Sequence, residues 1–458
     1  MDALESVRPA GLLERYHITR CELGVDSCVI ASAQYISNTG LPLDNSRLYP
    51  ALQKVIMRQP SLTMQVVGES EEAPRFVRLR SIDLTKVVED CASSFVLEEA
   101  FLNQIARPFK IECDEALWRL ARFADGTVLF IFHHAIGDGQ SGISFHMALL
   151  RALNDLSSPS TTVDVPPSFL PAVDTLMDTT VSWRKFLHEA YSLFAPESWR
   201  DGFDAWTGNP VSKKPTLHTN IRSWEISPPD TRRLLKLCRQ HNCTLTAFLY
   251  VLSIEVLSHI IVSFHPQILE KYKTLSTNVA MSLRRFTGTP LDVICDQAAK
   301  FHCFTPIIND TRSSEGYRPE DFPWNRAVEF GATLHSSLGV GRQDIGSMRY
   351  LFGHFREYFG GQLGKKREST FTISNIGRFP TQYNEGSTDE WRIGKMYFGQ
   401  CDATAGAAIK LNVVGAPDGS LGSTFTWGES SIDHDIAQSF VETMKKWTSR
   451  IISQANLE

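Results

Sequence analysis

The chain has 458 residues, of which 42% are hydrophobic, and a formal net charge of −5. A chain of this length can bury large cores, and length alone allows two to four domains. The charge is close to neutral and no basic stripe is interleaved with aromatic residues, which argues against nucleic-acid binding. Any polyanion that binds is expected to be small, such as the phosphates of a coenzyme.

The cysteines and the N-terminal residues indicate the compartment. The nine cysteines are scattered without a CxxC pair, which argues against a disulfide framework or a zinc site and favours reduced thiols. Residues 1–16 contain no apolar segment of the kind found in signal peptides. We therefore expect a cytoplasmic protein without a structural metal.

Predicted strands and helices alternate along both halves of the chain. Two strand-like runs at residues 118–124 and 127–132 flank the pair Asp125-Gly126, which is typical of a hairpin turn. A helix is predicted from Ser141 to about Leu153. The later patterns predict, in order, an irregular connection at 157–167, a helix around 181–194, a loop at 208–215, a strand at 221–226, a helix after Pro229 and an amphipathic helix at 436–452.

Residues 244–264 are apolar enough to suggest either a membrane helix or a core helix. Glu255 lies at the centre of this segment and His259 one turn later. A central ionisable group is costly in hydrocarbon, which favours the core helix. Thr244 is the expected N-cap of that helix.

The most informative motif follows the second strand of the predicted hairpin. An apolar run at 128–132 ends in His133 and His134, and Asp138 and Gly139 follow after three residues, which gives the pattern HHxxxDG. Side chains alternate along a strand, so the two imidazoles point to opposite faces and only one can enter a given cavity. A base at the end of a rigid strand can meet a substrate while the sheet holds it in place. Asp138, between two glycines, is placed to brace the turn.

This pattern resembles the motif of the HHxxxDG acyltransferase superfamily, which includes chloramphenicol acetyltransferase, the plant BAHD enzymes and the condensation domains of peptide synthetases. Residues 8–16 and 27–30 are similar to the start of fungal alcohol O-acetyltransferases, and the resemblance covers nearly the whole chain. It implies that His134 is the general base and that Asp138 is a structural residue paired with an arginine of the second half. The expected arginine is Arg284, whose segment matches a strand motif of the family, with Arg285 as the alternative.

The resemblance also implies an architecture and a reaction. The expected fold is α/β, with two chloramphenicol-acetyltransferase-like subdomains at residues 1–156 and 216–458, a connecting segment at 157–215, and the active-site tunnel at the subdomain interface. The implied reaction transfers an acetyl group from acetyl-CoA to a hydroxyl of an alcohol or fungal secondary metabolite within a ternary complex. We expect acetyl-CoA as a co-substrate, no permanently bound cofactor, a small-molecule acceptor, and a monomer without stable membrane insertion.

Other functions stay open at this stage. A condensation-type enzyme would take the acyl group from a carrier protein, and a non-catalytic protein could use the same fold for binding alone; the intact His134 and Asp138 favour catalysis. Ser141 misses the GxSxG pattern of serine hydrolases by one residue. Gly339 and Gly341 lack the third glycine of a dinucleotide-binding fingerprint.

Three further motifs have both a functional and a structural interpretation. Ser374 and Asn375 resemble the family's SNxG motif and could stabilise an oxyanion, although Asn375 could also cap a turn. Trp427, in a Trp-Gly pair, resembles an interface loop of the BAHD enzymes, and a structural role is favoured over substrate contact. The basic run of Lys365, Lys366 and Arg367 could meet the phosphates of coenzyme A, although most short basic runs are solvated surface.

Overall fold

The computed structural model describes residues 5–68, 74–91, 94–155, 169–309, 320–381, 390–401 and 405–454. The helices are α1 (Leu12–Glu22), α2 (Asn45–Arg58), α3 (Leu84–Val87), α4 (Leu97–Ile105), α5 (Gly139–Asn154), α6 (Val173–Leu176), α7 (Trp183–Phe194), α8 (Pro228–Gln240), α9 (Leu245–Phe264), α10 (Ile268–Lys271), α11 (Arg284–Thr287), α12 (Trp324–Ser336), α13 (Val340–Ser347), α14 (Phe355–Gly360) and α15 (His434–Ser453). The strands are β1 (Glu5–Pro9), β2 (Val29–Ser37), β3 (Met64–Val67), β4 (Arg75–Arg78), β5 (Val88–Cys91), β6 (Trp118–Phe123), β7 (Thr127–Phe132), β8 (Ala205–Trp206), β9 (Thr219–Ile226), β10 (Thr274–Ser282), β11 (Ala298–Pro306), β12 (Ser369–Arg378), β13 (Trp391–Gln400), β14 (Ala407–Gly415) and β15 (Leu421–Gly428).

The first lobe is built on a sheet with the strand order β13-β2-β7-β6-β5. The predicted hairpin is confirmed: β6 and β7 are antiparallel, with Trp118 opposite Phe132. Every residue of β7 is buried, because Phe130 packs on Phe145 of α5 on one face while Leu129 and Ile131 pack in a core shared with α4 on the other. Burial on both faces explains why β7 is apolar without alternation.

The second lobe is built on a larger sheet with the strand order β11-β10-β12-β14-β15-β9, and the short strand β8 pairs with β10. β12 runs parallel to both β10 and β14, and the outer pairs are antiparallel. Helices α9 and α15 bury their apolar side chains against this sheet in one large core. A separate small sheet, with the order β1-β4-β3, completes the N-terminal half.

The apolar segment at 244–264 is a core helix, as the sequence favoured. α9 passes the length and hydropathy test for a membrane span, yet 78% of its most apolar window is buried inside the protein. Glu255 is buried and accepts a hydrogen bond from Arg326 at 2.8 Å, which pairs the charge that made a membrane position costly. Thr244 caps the helix by accepting from the Ala247 N–H at 3.2 Å.

Strand β13 departs from the domain division expected from the sequence. It belongs to the 216–458 half of the chain but pairs antiparallel with β2 of the first lobe, with Trp391 opposite Ser37. The first sheet therefore contains strands from both halves of the chain. A single cut in the sequence does not separate the two lobes. Residues 157–168 of the expected connecting segment lie outside the described residues, and its loop at 208–215 contains no helix or strand.

Candidate active site

The HHxxxDG segment lies where strand β7 leads into helix α5. His133 is 1% exposed, and its Nδ1 accepts a hydrogen bond from the Ala135 N–H at 3.0 Å. Burial lowers the pKa of His133 to about 4. Its ring lies at 6.4 Å from Phe109, edge to face, whereas the His134 ring stacks on His17. The two neighbouring imidazoles thus have separate surroundings, as strand alternation predicts, and His133 is a packed structural residue.

All the hydrogen bonds of the Asp138 carboxylate stabilise the turn between β7 and α5. Oδ1 accepts from the Ser141 N–H and hydroxyl, both at 3.0 Å, and from Nη2 of Arg284 at 2.9 Å. Oδ2 accepts from the Gln297 N–H at 3.2 Å. Asp138 is also the N-cap of α5, so the helix begins at Gly139, two positions before the predicted start.

The ion pair between Asp138 and Arg284 joins the two halves of the chain. Both side chains are 3% exposed, and the Arg284 guanidinium also donates to the backbone carbonyl of Val293 at 2.7 Å. Arg285, the alternative partner, is exposed and lies over Phe286 instead. The structure therefore places Arg284 where the family resemblance implies it, and the Asp138 carboxylate is fully engaged in bracing.

His17 is a member of the site that the sequence analysis missed. Its ring is stacked on that of His134, with the centroids 3.7 Å apart and the planes 6° from parallel. His17 lies on α1 and is 7% exposed. Its Nε2 is 3.5 Å from Oδ2 of Asp296, whose side chain is fully buried. No local sequence motif identifies His17 as a site residue. It directly follows residues 8–16, which the sequence analysis used only for the family resemblance.

The surroundings of His134 keep the imidazole neutral. Burial lowers the pKa of His134 below its usual value, and the nearby carboxylates of Asp26 and Asp138 oppose this only in part. The ammonium group of Lys410 lowers the pKa further. The Nδ1 atom is buried, and a hydrogen bond with the backbone of His134 itself also raises the pKa in part, so Nε2 is the nitrogen left to accept a proton. An uncharged imidazole with one accessible nitrogen is suited to general base catalysis.

His17, His134 and Asp296 have ligand atoms within 4.8 Å of one another, which raises the question of a metal site. A metal ion lies close to the plane of an imidazole that binds it, about 2 Å from the nitrogen. Two parallel rings 3.7 Å apart cannot both direct a nitrogen lone pair at one ion in that way. The arrangement in the structure does not fit a metal ligand set.

The SNxG residues lie on strand β12 of the second lobe. Asn375 donates to the Thr246 hydroxyl at 3.1 Å and accepts from the Gly377 N–H at 3.0 Å, which is the turn-capping alternative. Ser374 is 5% exposed and its backbone pairs with β14 opposite Asn412. Its hydroxyl has no hydrogen-bond partner among the described residues, so it keeps its capacity to donate. Of the two oxyanion candidates, Ser374 is the one that the structure leaves unoccupied.

Trp427 is a core residue of the second lobe. It has no exposed surface and packs in the large apolar core, with its ring 6.0 Å from His434. A side chain with no exposed surface cannot contact a substrate. The structure contradicts substrate contact by Trp427 and agrees with the structural role.

The basic run does not form the expected phosphate fork. Arg367 is 2% exposed and donates from Nε to the backbone carbonyl of Asn209 at 3.2 Å. Lys366 donates to two consecutive backbone carbonyls, those of Gly202 and Phe203, at 2.7 and 2.9 Å. Lys365 is exposed. Because Arg367 is buried and bonded to the backbone, it is not a solvent-facing fork for phosphates. Lys365 and Lys366 are exposed, and coenzyme binding by these two lysines stays a prediction.

A cavity of about 500 Å³ lies beside this run. Its charged lining is balanced, with four basic and four acidic side chains: Lys185, Lys300, Lys366, Arg367, Glu189, Asp201, Asp344 and Glu368. Lys300 pairs with Glu368, and Lys185 pairs with Asp344 at 2.6 Å. With as many acidic as basic side chains in its lining, the cavity offers no net positive charge for phosphates.

Comparisons with known proteins find relatives in sequence and in fold. A probable alcohol acetyltransferase of Fusarium pseudograminearum, FCK4, is 23% identical over 442 residues, covering 89% of this chain and 86% of that protein. The structure of the TRI3 trichothecene 15-O-acetyltransferase from Fusarium sporotrichioides superposes with a TM-score of 0.72 at 11% identity, covering 97% of this chain and 94% of that one.

The same two-lobe fold is found outside the acetyltransferases. The condensation domain of the monacolin K polyketide synthase MokA superposes with a TM-score of 0.60 at 12% identity, over 100% of this chain and 99% of that one. These likenesses confirm the α/β fold with two chloramphenicol-acetyltransferase-like lobes. The sequence profile described as alcohol acetyltransferase matches residues 9–447, and the chain belongs to the alcohol acetyltransferase family.

Proposed function

We propose that this acetyltransferase moves an acetyl group from acetyl-CoA to the hydroxyl of a small alcohol or secondary metabolite, with His134 as the general base. The observation that carries the proposal is that two polar residues of the HHxxxDG motif, His134 and Asp138, have different surroundings. Asp138 is locked by Arg284 and Ser141, whereas His134 is a partly exposed, neutral imidazole at the end of a rigid strand.

The proposed reaction is a direct transfer. Nε2 of His134 accepts the proton of the acceptor hydroxyl while the oxygen attacks the thioester carbonyl. The resulting oxyanion is stabilised by hydrogen-bond donors, for which the unoccupied hydroxyl of Ser374 is our candidate. As the tetrahedral intermediate collapses, the C–S bond breaks and the His134 imidazolium returns its proton to the departing thiolate.

Family membership supports acetyl transfer to an alcohol, and the choice of donor is the part to be tested. The purified chain would be incubated with acetyl-CoA or with an acetylated carrier protein, each with a panel of primary and secondary alcohols. Mass spectrometry of the esters and a thiol assay for free coenzyme A would follow the reaction. We expect turnover with acetyl-CoA alone. Turnover only with the carrier-bound donor would move the protein to condensation-type chemistry, and binding of an alcohol without turnover of either donor would indicate a non-catalytic protein.

The wider expectations are proposals of the same kind. We propose a monomeric, cytoplasmic enzyme that binds neither nucleic acid nor a permanent cofactor. The mostly buried α9 supports the absence of stable membrane insertion.

A further inference from the structure

Asp296 is a buried carboxyl group beside the active site that the proposed reaction does not use. Its side chain is fully buried, and neither oxygen accepts a hydrogen bond of normal geometry from the described residues. The nearest ionisable partner is His17, with Nε2 at 3.5 Å from Oδ2. A charge in such a position is costly unless it is paired and hydrogen-bonded, so this placement requires an explanation.

The surroundings favour the uncharged form of both members of the pair. Burial raises the pKa of Asp296 well above its usual value, and the charges of Asp138 and Glu14 raise it further, against the opposing effects of Arg284 and the Ala298 N–H. Burial lowers the pKa of His17 well below its usual value, and the pKa is lowered further by the basic groups nearby, namely His134, Arg20, His133 and Lys410. Both shifts favour the uncharged pair, a neutral imidazole beside a carboxylic acid.

The His17 ring is held on several sides. One face covers the ring of His134 at 3.7 Å, and Tyr16 lies edge to face with His17 at 4.9 Å. The start of helix α1 is anchored by Glu14, which accepts hydrogen bonds from the Gly11 N–H at 2.6 Å and from Arg8. A ring fixed in this way restricts the rotation of the imidazole that it covers.

We propose that His17, whose ring edge faces Asp296, is a positioning residue for the catalytic imidazole. The inference rests on the proposed function of His134. By covering one face of the His134 ring, His17 keeps Nε2 directed at the acceptor. An uncharged His17 also avoids repulsion when His134 takes up the proton, because a neutral aromatic face attracts a cation whereas a second imidazolium would repel it.

Three variants test separately whether the His17 ring, its nitrogen atoms and the ionised Asp296 carboxylate are needed. His17→Phe keeps a flat ring and removes the nitrogens, His17→Leu removes the ring, and Asp296→Asn is isosteric with the protonated acid. We expect kcat to fall about 10-fold to 10²-fold in His17→Leu, with both KM values within about 3-fold, and to stay within about 3-fold of wild type in His17→Phe and Asp296→Asn. His146→Leu, which removes another buried histidine, is the control for general damage to packing.

Histidine NMR of the free enzyme gives a readout that needs no substrate. We expect one ordered set of His134 ring signals in wild type and His17→Phe, and broadened or doubled signals in His17→Leu. Ordered signals and full activity in His17→Leu would overturn the inference, as would a loss in His17→Phe equal to that in His17→Leu. A large loss in Asp296→Asn would show that the ionised carboxylate is required, which also contradicts the proposal.

The two proposals fail in different ways. If wild type does not turn over acetyl-CoA while the His134 signals still lose order in His17→Leu, the proposed function fails and the positioning contact stands. If wild type is active and the signals stay ordered in His17→Leu, the positioning role fails alone. Should His17→Leu not fold, His17→Gln replaces it as the variant without a ring.

Discussion

The buried ion pair between Asp138 and Arg284 allows a quantitative test of the brace. Both side chains are 3% exposed, and the two atoms that pair lie 2.9 Å apart. Removing one partner leaves the other charge buried, which costs about 3–5 kcal/mol. Asp138→Ala also removes the cap of α5, worth about 1 kcal/mol. Either single change is therefore a large fraction of a typical stability of about 5–15 kcal/mol.

The double variant should be less damaged than the sum of the single variants. In Asp138→Ala with Arg284→Met, neither charge is left unpaired, so we expect a coupling free energy of about 2–3 kcal/mol. The assay is denaturant unfolding of all four proteins, followed by intrinsic fluorescence and circular dichroism. The two probes must agree before free energies are compared.

A surface pair within the first lobe serves as the matched control. Arg107 and Glu89 also make a short contact, 2.6 Å, but their side chains are 53% and 47% exposed. The same cycle on this pair should give a coupling of about 0–1 kcal/mol. Strict additivity for Asp138 and Arg284, or a coupling no larger than that of the surface pair, would refute the brace.

Three further predictions follow from the site. The acid limb of kcat/KM should lie below pH 6.5, because the base acts when neutral and the pKa of His134 is lowered from 6.5; a limb above pH 7 in the pH–rate profile would contradict this. His133→Ala should clearly lower the unfolding midpoint and have a smaller effect on kcat than His134→Ala, because His133 is 1% exposed and accepts a hydrogen bond from the Ala135 N–H; a loss of kcat at an unchanged midpoint would contradict its structural role. Arg367→Ala should destabilise the fold and leave the KM for acetyl-CoA within about 2-fold, whereas a large, salt-dependent rise in that KM would restore the phosphate role.

The predictions that the sequence supports best are local ones. The hairpin, the apolar strand that leads to His133 and the bracing role of Asp138 follow from residues within one short segment, so alternation and turn chemistry reach them. Arg284 was predictable only through family resemblance, because nothing in its own segment specifies a partner in the first half.

Long-range packing explains what the sequence analysis missed. Strand β13 was not predicted from the sequence, and its pairing with β2 depends on contacts between distant parts of the chain. His17 and Asp296 carry no motif and meet only in the folded chain. Trp427 and Arg367 were given possible ligand roles because residue type does not distinguish a buried side chain from an exposed one.

The most direct test of the central claim is the rate of acetyl transfer by His134→Ala. The variant and wild type would be compared with acetyl-CoA and the best acceptor of the alcohol panel, after unfolding and coenzyme A binding have been shown to match. The account predicts that kcat falls about 10²-fold to 10⁴-fold with both KM values little changed. A His134→Ala enzyme within a few-fold of wild type would contradict the assignment of His134 as the general base.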